Sequence, residues 1–204
     1  EKGWIDYVVP QLYWERGHKL ADYDVLLKWW NDYAYGKHLY IGHGIYRAGT
    51  NDAWKSKDQI PDQINLLRSF KTTQGSVFYN SSTFAKNPNG WNDSLQNNYY
   101  KYPALVPPMP WLDDTAPDAP SVQKKGTTNV VVNYTGKEKI KSFGIFSAAA
   151  GIKATAKNAQ LLQVIIATKS SAIDIASILH KKNEKLYVGS IDLNNNVSSL
   201  VELN

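Results

Sequence analysis

The chain contains no cysteine. That excludes a disulfide framework and any thiolate metal site, and it leaves the redox compartment open. Nowhere does an apolar run approach the roughly 20 residues that a membrane helix needs, so no transmembrane segment is expected. A signal peptide is missing as well, and the first residue is Glu1 rather than Met, which leads us to expect a fragment or a processed form. The motifs G-x-G-x-x-G, Walker A, G-x-S-x-G and H-E-x-x-H are all absent, and no cofactor is expected. Aromatic residues are scarce in the second part of the chain, where positions 118–204 hold only four of them.

What is present is sharply divided. Residues 1–117 carry all seven Trp, eleven of thirteen Tyr, and twelve basic against twelve acidic side chains. Residues 118–204 carry eleven Lys against six acids, the whole net charge of +5. Such asymmetry predicts two domains, 1–117 and 118–204. The seam is "YPALVPPMPWLDDTAPDAP", whose six prolines withhold the N–H groups that a helix or central strand would use. It reads as a stiff, partly extended connector, with Asp113 and Asp114 solvated.

In the first domain, "IDYVV" (5–9), "HLYIG" (38–42) and "SVFY" (76–79) have the length and β-branched or aromatic content of strands buried on both faces of a parallel sheet. They recur at intervals of roughly 35 residues, the size of a β-loop-α-loop unit. Between the first two, Tyr23, Leu26, Leu27, Trp30 and Ala34 fall on one helical stripe, with Asp22 and Asp24 placed to favour its N-terminus. Between the second and third, Ile60, Ile64, Leu67 and Phe70 form another stripe, with Ser56 a possible cap and Pro61 tolerable in the first turn. Three units are too few to close a barrel. They fit the last three units of a (β/α)8 barrel, where chemistry resides in the loops after the strands.

Those loops begin "PQLYWERGH", "HGIYRAGTNDAW" and "NSSTFAKNPNGWND". Gln11, Tyr13, Trp14, Glu15, Arg16 and His18 combine aromatic faces with amide and charged groups, as a sugar site requires. The plainer alternative has Tyr13 and Trp14 covering the barrel end while Glu15 pairs with Arg16 or His18. His43, Tyr46 and Arg47 follow the second strand, and Gly42 and Gly44 would allow close approach of a ligand and leave the imidazole at the rim. Asn80, Ser81, Ser82 and Thr83 suit a hydroxylated ligand or an ordinary turn. His18, His43 and Glu15 formally resemble a metal set, but no recognised ligand spacing supports one, and no metal is expected. Trp54, Trp91 and Trp111 suit packing better than ligand platforms.

Together, "DYVVPQLYWERGHKLADYDVLLKWWN", "LYIGHGIYR", "QINLLR", "GSVFYNSSTF" and "YPALVPPMPWLDDTAPDAP", in this order, resemble the C-terminal part of glycoside-hydrolase-like family 10, also called DUF187 or the YngK-like group, over about residues 1–120. The resemblance implies a (β/α)8 catalytic barrel followed by a β-sandwich, action on the O-glycosidic bonds of a polysaccharide or cell-envelope glycan, and a secreted, periplasmic or envelope location. By the same resemblance Tyr13, Trp14, Glu15, His18, His43 and Tyr46 face the sugar, with Glu15 the acid/base or a substrate-positioning group. Gln11, Arg47 and Asn80 join them as substrate-binding candidates. Glycoside hydrolysis needs two carboxyl groups, and the family's acids on earlier strands lie outside this chain. The chain alone is therefore expected to be inactive.

Residues 118–204 turn to short alternating segments: "NVVVNY" (129–134), "KSFGIFSA" (141–148), "LLQVIIAT" (161–168), "KLYVGSIDL" (185–193) and "VSSLVEL" (197–203). These predict a fibronectin type III or immunoglobulin-like β-sandwich, with the last two segments as the closing hairpin. Its lysines are scattered among strands and turns without interleaved aromatics, so a solvated face rather than nucleic-acid binding is expected, and the module reads as a spacer or docking element. Two rival functions remain. One is a non-catalytic carbohydrate-binding or cell-surface structural protein; the other is a half-barrel that self-associates, because open strand edges invite pairing.

Overall fold

A computed structural model describes residues 1–168 and 170–203. Backbone contacts divide the chain into two units, Glu1–Lys101 and Tyr102–Asn204.

The first unit is built on a three-stranded parallel sheet, β1 (Tyr7–Val8), β2 (His38–His43) and β3 (Thr73–Phe78), in the order β1-β2-β3. An isolated parallel bridge between Gln11 and Gly42 extends the pairing of β1 beyond its two residues. Helix α1 (Tyr23–Asp32) connects β1 to β2, and α2 (Asp52–Lys55) and α3 (Gln59–Leu67) connect β2 to β3. Asp22 caps α1 by accepting from Asp24 N. Pro61 does lie in the first turn of α3, but the residue preceding that helix is Asp58, and the Ser56 hydroxyl instead accepts from Asp58 N at 3.2 Å. After β3 come α4 (Ser81–Ala85) and α5 (Trp91–Ser94), the latter continued by a π turn, Leu95–Tyr99.

Side chains alternate along a strand, so β2 has two distinct faces. Leu39, Ile41 and His43 point toward the helices and join the buried core with Leu12, Tyr23, Leu27, Ile60, Ile64 and Leu67. The opposite face carries Tyr40, Gly42 and Gly44, with Tyr7 of β1 packed edge-on against Tyr40 at 5.8 Å. This second face is open: Tyr7 is 54% and Val77 46% exposed. Only the central strand is thus largely buried, and the expectation that all three strands are buried on both faces does not hold for β1 and β3.

The second unit has two antiparallel sheets. One contains β6 (Ile140–Ala149), β7 (Gln160–Ile166), β9 (Glu184–Asp192) and β10 (Val201–Glu202) in the order β10-β9-β6-β7. The other contains β4 (Ser121–Lys125), β5 (Asn129–Asn133) and β8 (Ser170–Asp174) in the order β4-β5-β8. Val130, Val132 and Ile173 from the smaller sheet share one core with Phe143, Ile145, Leu186 and Val188 from the larger. Strands β9 and β10 pair antiparallel, Val201 opposite Val188.

The proline-rich stretch belongs to this second unit by contact. Leu105 packs on the cluster of Phe146, Ala148, Leu161 and Tyr187. Asp113 is held rather than merely solvated. Its carboxylate accepts from Asn194 Nδ2 at 3.1 Å and Thr115 N at 2.9 Å, and its carbonyl accepts from Asn196 Nδ2 at 3.2 Å. Among the described residues no helix is long and apolar enough to cross a membrane.

Candidate functional site

The segment leaving β1 turns across the C-terminal ends of the strands. Tyr13 lies over β2 because that strand offers no side chain beneath it. A Cβ on Gly44 would meet Tyr13 Cβ and Cγ at 3.0 Å, and one on Gly42 would meet the Pro10 carbonyl at 3.0 Å. These glycines therefore make room for a residue of the chain itself rather than for close approach of a ligand.

Three tyrosines meet there, one from the exit of each strand. Tyr13 packs edge-on to Tyr46 at 5.7 Å and stacks on Tyr79 at 5.9 Å, while Tyr46 and Tyr79 meet edge-on at 5.8 Å. Backbone bonds fix the geometry, with Tyr79 N donating to His43 O at 2.9 Å and Tyr46 N to Tyr79 O at 3.4 Å. Tyr46 and Tyr79 remain 42% and 54% exposed. Burial, and then the neighbouring phenols of Tyr46 and Tyr79, push the Tyr13 hydroxyl above its ordinary value. The result is an aromatic surface with three hydroxyls, exposed on one side.

Glu15 stands on the same loop. Its carboxylate accepts from Trp54 Nε1 at 2.9 Å and from Asn51 Nδ2 at 3.0 Å, which ties the first loop to the second. Burial raises its pKa, but its own backbone N–H, the Trp54 and Asn51 donors, and the charge of His18 together outweigh that effect and hold it below the usual value. It therefore stands ionised near neutral pH. Arg16 does not pair with it; the guanidinium grips Asp24 through two bonds of 2.8 and 2.7 Å.

His43 is fully buried, not at the rim. As the third inward residue of β2 after Leu39 and Ile41 it follows strand alternation into the helix-covered face. Its ring lies between Tyr23 (6.0 Å) and Phe78 (5.3 Å), with Nδ1 2.9 Å from Gln63 Oε1 and Nε2 3.1 Å from Ser76 Oγ. Burial, only partly countered by Gln63, lowers its pKa to about 4, so the ring is neutral. His18 faces its own loop, with Nδ1 accepting from Leu20 N at 3.3 Å and Ala21 N at 3.1 Å. The two histidines are thus engaged separately, and no group of three or more His, Asp or Glu among the described residues could hold a metal ion.

Gln11 is exposed beside Gly42, and Trp14 is part-exposed with its carbonyl accepting from Gln63 Nε2 at 3.2 Å. Arg47 closes a short 3-10 turn, Ile45–Arg47, and its Nε is buried without a hydrogen-bond partner among the described residues. Asn80 caps α4, accepting from Thr83 N at 2.9 Å and Ser82 Oγ at 2.7 Å, so the turn-forming alternative describes it. Trp54 and Trp91 are buried against each other at 6.2 Å, as expected of packing residues, but Trp54 also carries the donor to Glu15. Sequence reasoning missed Tyr79, Asn51 and Gln63. Tyr79 directly follows "SVF" and was available from the same strand-exit rule that singled out Tyr13; Gln63, in the middle of a helix, offered no such signal.

No protein-family model matches the chain. Over 128 residues, 61% of its length, it is 41% identical to a protein named glycosyl hydrolase YngK from Bacillus subtilis (strain 168), covering 25% of that protein. Over 88 residues, 39% of its length, it is 32% identical to one named glycosyl hydrolase DigH from Escherichia coli (strain K12), covering 20% of that protein. The chain thus spans a quarter or less of these curated relatives, which support a glycosyl-hydrolase-like family for it. A solved structure titled "Myokine structure" aligns with 44% of the chain and 95% of its own length at 18% identity, with a TM-score of 0.28, too slight a likeness to bear on the fold.

Proposed function

We propose that the chain is part of a glycoside hydrolase of the glycoside-hydrolase-like family 10 type, acting on O-glycosidic bonds of a polysaccharide or cell-envelope glycan outside the cytoplasm. The observation that carries this is the meeting of Tyr13, Tyr46 and Tyr79 from three successive strand exits, beside the ionised Glu15. Rings that expose a face and a hydroxyl suit pyranose C–H faces and their hydroxyl groups. The relatives named glycosyl hydrolases support the same conclusion.

In this proposal the first unit is a section of a (β/α)8 barrel. Its parallel order and its open second face support that, since in a barrel the second face turns inward. The second unit is then a fibronectin- or immunoglobulin-like sandwich, supported by two antiparallel sheets around one core.

Glu15 serves as a substrate-positioning carboxylate. A general acid needs a raised pKa, and here both oxygens accept protein donors and the ionised form is favoured. Hydrolysis needs a second carboxyl group to protonate the leaving oxygen; in this proposal that group comes from another part of the enzyme, and this chain alone binds glycan without cleaving it. The test is titration of the chain with soluble oligosaccharides from envelope glycans and plant or bacterial polysaccharides, followed by calorimetry and by product analysis. Binding without cleavage that weakens when Tyr46 or Tyr79 is replaced by Ala supports the proposal. Saccharide binding unaffected by either substitution, or no binding across the panel, would sink the rim assignment.

A further inference from the structure

Beneath the rim runs a chain of hydrogen bonds whose direction the geometry determines. The Trp14 carbonyl can only accept, so the group of Gln63 lying 3.2 Å from it is the amide NH2, and the amide oxygen faces His43. That oxygen can only accept in turn, so His43 Nδ1 carries the proton. The ring is neutral, which leaves Nε2 as an acceptor, and the Ser76 hydroxyl donates to it. Ser76 Oγ then receives the hydroxyl of Tyr100 at 3.0 Å. Every bond from Tyr100 through Ser76, His43 and Gln63 to Trp14 therefore points the same way.

We propose that Gln63 is a positioning residue of the rim, fastening the Trp14–Glu15 loop to the buried face of the sheet through a His43 held as the Nδ1–H tautomer. Gln63 has its side chain in the interior, fully buried, where an amide with only one half satisfied is costly. Trp14 lies next to both Tyr13 and Glu15, so a loop released at Trp14 loosens the aromatic surface and the carboxylate together. The ligand-facing meaning of this rests on the carbohydrate proposal above; the relay itself does not.

Two measurements on the full chain test it. The imidazole 15N spectrum of the unsubstituted protein should show a pyrrole-type Nδ1 and a pyridine-type Nε2 for His43. The reverse pattern overturns the directionality and with it the proposal. In Gln63→Met the side chain stays about as long but has no N–H to give the Trp14 carbonyl, so amide exchange across Trp14–Gly17 should accelerate about tenfold, as loss of one buried hydrogen bond predicts. Unchanged exchange in that variant also overturns the proposal. If the variant does not fold, the tautomer measurement still decides. Neither readout involves a saccharide, so failure here is distinct from failure to bind glycan.

Discussion

The indole N–H of Trp54 donates to the Glu15 carboxylate at 2.9 Å, joining a buried ring of the second loop to the charged group of the first. Trp54→Phe keeps most of the ring and removes the donor. Loss of the donor should cost about 1 kcal/mol at neutral pH, at the low end for a charged hydrogen bond because Glu15 is part-exposed, on top of the packing lost with the smaller ring, and should move the Glu15 pKa up. Because the folded-state pKa is depressed, the stabilisation is present above the unfolded value and is lost as pH falls through the folded one. Urea unfolding of the two proteins at pH 7 and pH 3 checks this: the gap should be narrower at pH 3, leaving the pH-independent part that comes from the smaller ring.

His43 has the opposite dependence to a partnered, charged histidine. Its folded pKa is lowered from 6.5 to about 4, so the unfolded chain binds a proton first as the solution is acidified. Stability should be full above pH 6.5, fall by a few kcal/mol as pH drops to about 4, and stop falling on this account below that. Replacing it, His43→Gln, removes this share of the slope. The difference between the two unfolding profiles against pH isolates it from the carboxylates.

Gly44→Ala places a methyl 3.0 Å from Tyr13 Cβ and Cγ, atoms too near the backbone to swing aside. The substitution should cost about 1–3 kcal/mol, in the range of overpacking, and part Tyr13 from Tyr46 and Tyr79. Thermal unfolding reads the first effect. An ultraviolet titration reads the second, with the raised phenol pKa of Tyr13 moving back toward 10.0.

In the second unit the buried Asp192 carboxylate accepts from Asn194 N and Asn196 N at 2.8 Å and from Asn196 Nδ2 at 2.9 Å, the same asparagines that hold Asp113. Asp192→Ala should therefore destabilise the hairpin turn by about 2–3 kcal/mol and free the proline-rich stretch along with it. Limited proteolysis should cut within residues 103–117 in the variant well before it cuts the unsubstituted chain.

Much of the first unit was legible because its signals are local. The stripe of Tyr23, Leu27 and Trp30 and the acids around it fix α1, and strand exits mark the loops that meet. Strands β4 and β8 escaped notice because "SVQKK" and "SSAID" are polar edge strands that bury few side chains, so their pairing with β5 supplies what the sequence pattern does not. The position of His43 at the end of its strand suggests the rim, whereas counting from Leu39 and Ile41 by twos puts it inside, where it is buried. The donors to Glu15 come from 36 and 39 residues away, and no spacing rule connects them.

Gly42, Gly44 and Gly75 each lie under or beside a tyrosine ring on the second face of the sheet. In a saturation-mutagenesis library selected for glycan binding, these three positions should be among the least permissive, although none offers a side chain to a ligand. Diversity that changes which saccharide is preferred should instead accumulate at the rings above them, so tolerance and specificity would map to different layers of the same surface.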